Sequence, residues 1–256
     1  MPETDLALLR DAAEAAAAIA ERHFAGSRDA VEKPGGYGPV TQADLEIDRM
    51  LRAELRAARP DYGWLSEESE NDLSRLEADR VFVVDPIDGT RAFVAGKRAW
   101  AHSLAVAERG RAVVGVVHLP MLARTYSAAA GCGANCNGAT LSASVRTELD
   151  GADVLTGRAQ LKPERWPGGV PDVTPHFRPS LAYRICLVAE GRFDAVLTFQ
   201  ETWEWDVAAG QIIAAEAGVA ASDVTGAPLR FNRPDPVQPG LIVAPPALHR
   251  AVMARL

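Results

Sequence analysis

The chain has 256 residues, 48% hydrophobic and 24% charged, the composition of a globular protein with a sizeable core. Its formal charge of −7 favours neither a nucleic acid polymer nor an anionic membrane, and no apolar run approaches the ~20 residues that span a bilayer. Three cysteines are too few, and odd in number, for a disulfide framework; the N-terminal MPETDLALLRD lacks the basic start of a secretion signal, and the cytoplasm is the expected compartment.

Residues 4–25 read as an amphipathic, Ala-rich helix capped by Thr4, with Leu6, Leu9, Ala13, Ala16 and Ala20 at helical spacing. A Gly-rich loop follows from Glu32 to Pro39; its three glycines, with Lys33 ahead of them, make it a candidate mobile segment. A second helix starts at Thr41, which forms a capping box with Asp44. Ile47, Met50, Leu51 and Leu55 give its core side, and Asp48 shares the face of Asp44. Residues 62–65 read as a short strand ending in Ser66-Glu67-Glu68-Ser69. Adjacent glutamates alternate faces if the strand runs on, so at most one of them points at a given site.

Residues 81–84 form a β-branched and aromatic strand that Pro86 stops for want of an N–H, and Asp88, Gly89 and Thr90 make the turn after it. Asp85 and Asp88 can converge on one point, Gly89 lets a ligand approach the backbone, and the Gly89 and Thr90 N–H groups can face an anion. Such carboxylates suit a hard cation such as Mg²⁺, although Asp-Gly after a strand is by itself an ordinary solvated turn. Residues 103–107 and 112–118 read as a hairpin joined by Glu108-Arg109-Gly110-Arg111, and 124–128 as a third strand before a turn over 131–138. Cys132 and Cys136 lie in that turn without the two further ligands a zinc site needs, and read as incidental thiols.

Val154-Leu155 reads as a strand and 163–175 as irregular. Residues 181–189 form a helix ended by Gly191, and 193–199 a strand. Asp206 reads as the N-cap of a helix over 207–217 that turns Ile212 and Ile213 to the core and ends at Gly218. Strands over 219–224 and 241–244, a turn over 223–226 and a helix over 247–256 complete the chain. Helices first, then mixed strands and helices, predict a layered α+β fold, a single domain over 1–256 in two close-packed halves near 1–145 and 146–256.

The acidic residues form a set in fixed order: Asp44 after Val-Thr, Glu67 in Glu-Glu-Ser, Asp85 and Asp88 in Asp-Pro-Ile-Asp-Gly-Thr, and Asp206 in Trp-Asp-Val-Ala-Ala-Gly. In this set, from about Lys33 to Gly226, the chain resembles the inositol monophosphatase superfamily of Mg-dependent, lithium-sensitive phosphatases. The resemblance implies an α/β/α/β/α layered sandwich, usually a homodimer. It implies metal ligands at Glu67, Asp85, the Ile87 carbonyl, Asp88 and Asp206, and places Asp44 with a more weakly bound cation or its water shell. It assigns phosphate oxygens to Gly89 and Thr90, and the orientation of the attacking water to Thr90 with Glu67. Two or three Mg²⁺ ions are implied, with Mn²⁺ as a substitute and Li⁺ or Ca²⁺ as inhibitors.

The implied reaction is hydrolysis of a small phosphorylated metabolite by metal-activated water, with no covalent nucleophile. His23, His102, His118, His176 and His249 are scattered and read as structural. The inositol-contacting glutamate of the family falls at Phe199, with Gln200 and Glu201 adjacent, and the family's Gly-Ser/Thr-Ala segment reads Arg178-Pro179-Ser180-Leu181 here. Asp88, Ser180, Glu201 and Asp206 are the expected substrate contacts. Residues 186–191 and 204–206 look more like the bacterial 3′(2′),5′-bisphosphate nucleotidases, and residues 85–93 also look like histidinol-phosphatases. Both are alternatives to an inositol-type monophosphatase. A different class is a catalytically silent metal- or phosphate-binding protein on the same scaffold. Replacing Asp88 with Asn is expected to abolish turnover with the fold intact, and the Gly-rich loop is expected to order on metal binding.

Overall fold

The sequence folds in a computed structural model that describes residues 2–36 and 38–256. Helix α1 (Pro2–Ala25) begins two residues before Thr4, which therefore lies inside the first turn rather than at its cap; Pro2 suits the first helical position and Glu3 and Asp5 complement the dipole. Strands β1 (Ala30–Glu32) and β2 (Pro39–Thr41) pair across the Gly-rich loop, of which Tyr37 lies outside the described residues. Helix α2 (Gln42–Ala58) starts after Thr41, and the Thr41–Asp44 capping box is formed. A mixed sheet follows: β3 (Gly63–Ser66), β4 (Arg80–Asp88), β5 (Ala101–Glu108), β6 (Arg111–Leu119), β7 (Arg124–Ala129), β8 (Ala134–Cys136) and β9 (Ala139–Thr140), with helix α3 (Thr90–Val94) after β4.

The rest of the chain builds a second sheet from β10 (Asp153–Leu155), β11 (Thr174–His176), β12 (Ala195–Thr198), β14 (Ala220–Ser222) and β16 (Leu241–Ala244). Strands β13 (Thr202–Trp203) and β15 (Val237–Gln238) pair separately. Helix α4 (Leu181–Ala189) precedes β12, α5 (Glu204–Glu216) precedes β14, and α6 (Pro246–Met253) closes the chain.

Alternation along the strands fixes five layers. On β4, Phe82 and Val84 join Leu9, Ala16, Ile47 and Leu51 of the α1–α2 layer, while Val81 and Val83 face the opposite cluster containing Ile185, Val207 and Ile213 of α4 and α5. That inner helical layer is shared with the second sheet through Val196 and Val243. The alternate residues Ala195, Leu197 and Ile242 pack on Leu248 and Val252 of α6. The order is α1α2, seven-stranded sheet, α4α5, five-stranded sheet, α6, which is the expected α/β/α/β/α sandwich. Gly115 on β6 permits the close approach of α5: a Cβ there would lie 2.6 Å from the Ala209 carbonyl oxygen. Among the described residues no helix is long and apolar enough to cross a membrane.

Three local expectations are corrected. Pro86 does not end its strand. β4 continues to Asp88 through a register shift between Asp85 and Asp88, and the Pro86 carbonyl is satisfied by the His102 ring instead of a neighbouring strand. The 131–138 turn contains β8, which pairs with β7 and buries Cys136; Cys132 is exposed, and all three thiols are free. Finally, α5 begins at Glu204, so Asp206 lies within its first turn and Trp203 holds the cap position without a side-chain bond. The early start is anchored by Glu204, whose buried carboxylate accepts the backbone N–H groups of Asn232 and Arg233 at 2.5 and 3.1 Å. Smaller differences fall inside the irregular 163–175 run, where Thr174–His176 pairs in parallel with β10.

Candidate active site

The Asp85–Thr90 segment gathers the sequence-predicted residues at the end of β4. Asp85 Oδ1 accepts the Ile87 N–H at 2.9 Å, which folds the strand end over and turns the next carboxylate towards the second half of the molecule. Gly89 then takes φ 100°, a left-handed conformation open to glycine, and begins α3. Its carbonyl accepts the Ala92 and Phe93 N–H groups, while the Thr90 N–H, in the first turn, has no acceptor within the helix.

Asp88 meets the N-terminus of α4. Its Oδ2 accepts from Ser180 Oγ at 2.6 Å and Ala182 N at 2.7 Å, and its Oδ1 accepts from Leu181 N at 3.1 Å. A carboxylate at a helix N-terminus is electrostatically favoured. It joins two elements 92 residues apart in the chain. Asp206, projecting from the first turn of α5, completes a cluster in which carboxylate oxygens of Asp85, Asp88 and Asp206 all lie within 4.8 Å of one another.

Three acids this close cannot all ionise without a cation. Burial pushes the Asp85 and Asp206 carboxyls well above the usual range, and the remaining carboxylates of the cluster and Glu67 push them further. Asp88 is raised less decisively, because its bonds to Ser180, Ala182 and Leu181 and the Arg184 charge oppose burial.

Asp44 approaches from α2. Its Oδ2 accepts from Thr41 N at 2.8 Å and Thr41 Oγ1 at 2.5 Å, while Oδ1 lies 3.5 Å from Thr90 Oγ1. Burial pushes its carboxyl up to about 6. The Thr90 hydroxyl has one proton, and its shorter contact is 3.0 Å to the Ile87 carbonyl. Capping and site-facing are thus not alternatives for Asp44: one oxygen does each.

Glu67 follows β3, with its N–H bonded to the Val84 carbonyl at 3.2 Å. Lys33 Nζ reaches both Glu67 at 2.8 Å and Glu68 at 2.7 Å, so both adjacent glutamates converge on one group. The alternation expected for them does not apply, because β3 ends at Ser66 and the chain turns. Burial and the neighbouring Glu67 push Glu68 up to about 7. Asp48 holds this turn, accepting from Ser66 Oγ at 2.5 Å and Ser69 Oγ at 2.9 Å. The shared face of Asp44 and Asp48 is real, but only Asp44 reaches the site.

Glu67, Asp85, Ile87, Asp88, Gly89, Thr90 and Asp206 line one cavity of about 590 Å³, with the stacked Trp203 and Trp205 rings, 4.8 Å apart, on its wall. A second cavity of about 400 Å³ shares Asp88, Asp206, Arg91, Phe177 and Pro179 with the first and extends to Arg184, Gln200 and Glu201. Glu201 therefore lines the cavity that adjoins the acidic cluster. Phe199 instead packs edge-on against Trp166 at 5.5 Å. Ser180 is fully buried. Its hydroxyl donates to Asp88 and accepts from Tyr183 N, so it is committed to the Asp88–α4 junction.

Two site-side residues had no sequence signal. His102 is buried and donates from Nδ1 to the Pro86 carbonyl at 2.5 Å, bracing the strand end; burial pushes its pKa down to about 3, so the ring is neutral. Arg184 lies one turn into α4, and only the docking of α4 on Asp88 brings it to the cavity.

The whole chain, residues 1–256, matches the model of the inositol monophosphatase family. It is 35% identical over 204 residues to a fructose-1,6-bisphosphatase/inositol-1-monophosphatase of Thermotoga maritima, covering 78% of each chain. It is 30% identical over 267 residues to a 3′-phosphoadenosine 5′-phosphate phosphatase of Mycobacterium leprae, covering 94% of this chain and 89% of that one. The solved structure of the Thermotoga maritima IMPase superposes with a TM-score of 0.83 at 28% identity, over 99% of this chain and 96% of the other. The layered fold, the converging carboxylates and these matches agree: the chain belongs to the inositol monophosphatase family, a family of phosphoric monoester hydrolases.

Proposed function

We propose that this protein is a Mg²⁺-dependent phosphomonoesterase acting on a small phosphorylated metabolite, with an inositol monophosphate-type ester as the leading substrate. The observation that carries this reading is the triad of Asp85, Asp88 and half-buried Asp206, with oxygens within 4.8 Å, beside the left-handed Gly89 turn. The all-oxygen donor set fits a hard divalent cation: Glu67, Asp85, the Ile87 carbonyl, Asp88 and Asp206 would hold Mg²⁺, two or three ions in all, or Mn²⁺ in its place. When bound, the metal supplies charge neutralisation and acidifies the attacking water.

The chain's own residues do the remainder. Gly89 and Thr90 N–H groups hold phosphate oxygens, preorganised by the glycine turn. The Thr90 hydroxyl, kept in place by the Ile87 carbonyl and next to Asp44, orients the attacking water with Glu67. Lys33 compensates Glu67 and Glu68 from the Gly-rich loop side. Asp88, Asp206 and Glu201 face the alcohol portion of the ester. Three free thiols fit a reducing cytoplasm, and the family resemblance implies a homodimer, with Li⁺ and Ca²⁺ as inhibitors.

A second reading, a 3′(2′),5′-bisphosphate nucleotidase, is favoured by the Mycobacterium leprae relative, which aligns with 94% of the chain. Phosphate release from inositol 1-phosphate, adenosine 3′,5′-bisphosphate and histidinol phosphate, with and without Mg²⁺, tests both. Release from none of them, alongside Mg²⁺ binding by calorimetry, would instead support a catalytically silent metal-binding protein.

A further inference from the structure

Helix α5 opens on Trp203 in the cap position, and an indole has a donor but no acceptor, so it cannot take the first-turn N–H groups as Ser or Asp would. Asp206 nevertheless projects from that turn into the acidic cluster. What fixes the turn is a set of bonds around it. Glu204, fully buried, accepts the Asn232 and Arg233 N–H groups at 2.5 and 3.1 Å, and its own N–H donates to the Pro236 carbonyl at 2.9 Å. From the first sheet, Ser103 Oγ on β5 donates to the Trp205 carbonyl at 2.8 Å.

Among the described residues no cation lies within ion-pair distance of Glu204. The charge that answers it stands one residue further out. Arg75, 2% exposed, lies in the short turn Leu73–Glu77 between β3 and β4. Its Nη1 donates to Asn232 Oδ1 at 2.5 Å, and Asn232 Nδ2 returns a bond to the Arg75 carbonyl at 3.1 Å. Its Nη2 donates to the Arg233 carbonyl at 2.8 Å and to Asn71 Oδ1 at 2.7 Å. Burial pushes the Arg75 pKa down, and the Glu204 charge pushes it back up. The two ions thus meet through Asn232, whose amide faces the guanidinium while its backbone N–H faces the carboxylate. Asn232 takes φ 62°, a left-handed turn that lays two successive N–H groups on one carboxylate. Neither Arg75, Asn232 nor Glu204 lines the two cavities beside the acidic cluster, so none of them touches an ester bound there.

We propose that Arg75, Asn232 and Glu204 form a positioning relay that holds Asp206 in place for the cation, so that a guanidinium outside both cavities sets metal affinity. The proposal rests on the metal-dependent reading of the acidic cluster. Removing the guanidinium or the amide frees the segment 232–233. Glu204 then follows its donors, and the first turn of α5 shifts with Asp206. A carboxylate displaced from its coordination position binds the cation weakly although it is chemically intact.

The test sets Asn232→Gly, which keeps the left-handed backbone and its N–H groups while deleting the amide of the relay, beside Arg75→Met. Calorimetry is expected to show the Mg²⁺ dissociation constant raised roughly 10- to 100-fold in each variant. The double variant should bind no more weakly than the worse single, because both changes cut one chain of contacts. Arg75→Lys, which keeps the charge and some of the donors, should recover part of the affinity. Phosphate release should be lost at low Mg²⁺ and regained at saturating Mg²⁺, a split that lost stability alone does not produce. A lower Tm in EDTA with Mg²⁺ affinity within about twofold of native would overturn the proposal and leave the relay purely structural. So would a loss of affinity in Arg75→Met that Asn232→Gly does not share, since the relay passes through Asn232. Weakened Mg²⁺ binding in both variants, with no turnover of any ester by the native protein, refutes the phosphomonoesterase and keeps the relay. No Mg²⁺ binding by the native protein refutes both. Should Arg75→Met not fold, Asn232→Gly alone must weaken Mg²⁺ binding.

Discussion

The two aspartates Asp88 and Asp206 should respond oppositely to the same conservative change. In Asp88→Asn one carboxylate oxygen becomes an NH₂ group. The remaining oxygen can keep the Ser180 and Ala182 donors, at 2.6 and 2.7 Å, but the NH₂ then points at the Leu181 N–H, where Oδ1 accepted at 3.1 Å. One charge-assisted bond is lost, a buried donor faces a donor, and the attraction between a carboxylate and the α4 N-terminus disappears. Relief of repulsion within the acidic cluster offsets part of this, leaving a net loss of about 2 kcal/mol, or ~4–8 °C in Tm for a chain of this size. Among the described residues no backbone N–H is bonded to Asp206, and the Asp85 carboxyl lies within 4.8 Å of it. Asp206→Asn therefore removes a charge from the acidic cluster without giving up a backbone hydrogen bond, and its metal-free Tm is expected to stay level or rise. Both variants should lose Mg²⁺-dependent phosphate release. The assay is a thermal melt in EDTA at pH 8 beside a release measurement. A metal-free Asp88→Asn that melts at or above Asp206→Asn would refute the account of Asp88 as the clasp on α4.

Metal and pH are linked with a definite sign. Asp85 and Asp206 are raised by burial and Asp44 stands at about 6, so the cation displaces protons and Mg²⁺ half-saturation should fall roughly 10- to 100-fold between pH 6 and pH 8, with calorimetry in two buffers reporting the released protons. Raised carboxyls stabilise the metal-free fold at low pH and lose that contribution as pH rises. The depressed His102 acts in the opposite sense below its unfolded value of ~6.5, where stability is lost as pH falls towards about 3. Between pH ~6.5 and ~8 the raised carboxyls set the trend: metal-free Tm should fall with rising pH and saturating Mg²⁺ should suppress the fall, and a flat metal-free curve would contradict this. His102→Leu leaves the Pro86 carbonyl unpaired and is expected to cost about 1–3 kcal/mol and to raise Mg²⁺ half-saturation; a lower Tm with unchanged metal affinity would make His102 merely structural. Gly89→Ala must hold an L side chain at φ 100°, a strain of about 1–2 kcal/mol, and should cut kcat with little change in melting behaviour outside that range.

The convergence of the acidic motifs was legible because they are written in short runs: Asp85 and Asp88 sit on one strand end, and Asp206 is in a motif of its own. What escaped the sequence depended on partners far along the chain. Pro86 reads as a strand stop when only ladder donors are counted, yet β4 continues because the His102 ring satisfies its carbonyl. Asp206 reads as an N-cap by residue type, but Glu204 starts the helix earlier by binding Asn232 and Arg233. Glu67 and Glu68 read as divergent under strand alternation and converge because Lys33 arrives from a separate hairpin. Arg184 is one helical residue among others until α4 docks on Asp88. The five layers were readable from resemblance, whereas composition and order alone reached only a layered α+β arrangement.

The clasp between Asp88 and α4 also sets a sequence of events in synthesis. Asp44, Glu67, Asp85 and Asp88 leave the ribosome before the Ser180–Ala182 donors and before Asp206 exist. A nascent or truncated chain thus carries an acidic cluster with neither its helical counter-field nor its last carboxylate. The three-carboxylate cluster and its helical counter-field arise together only once the C-terminal third has folded back, so an incomplete copy never presents the assembled site to the cell's metabolites.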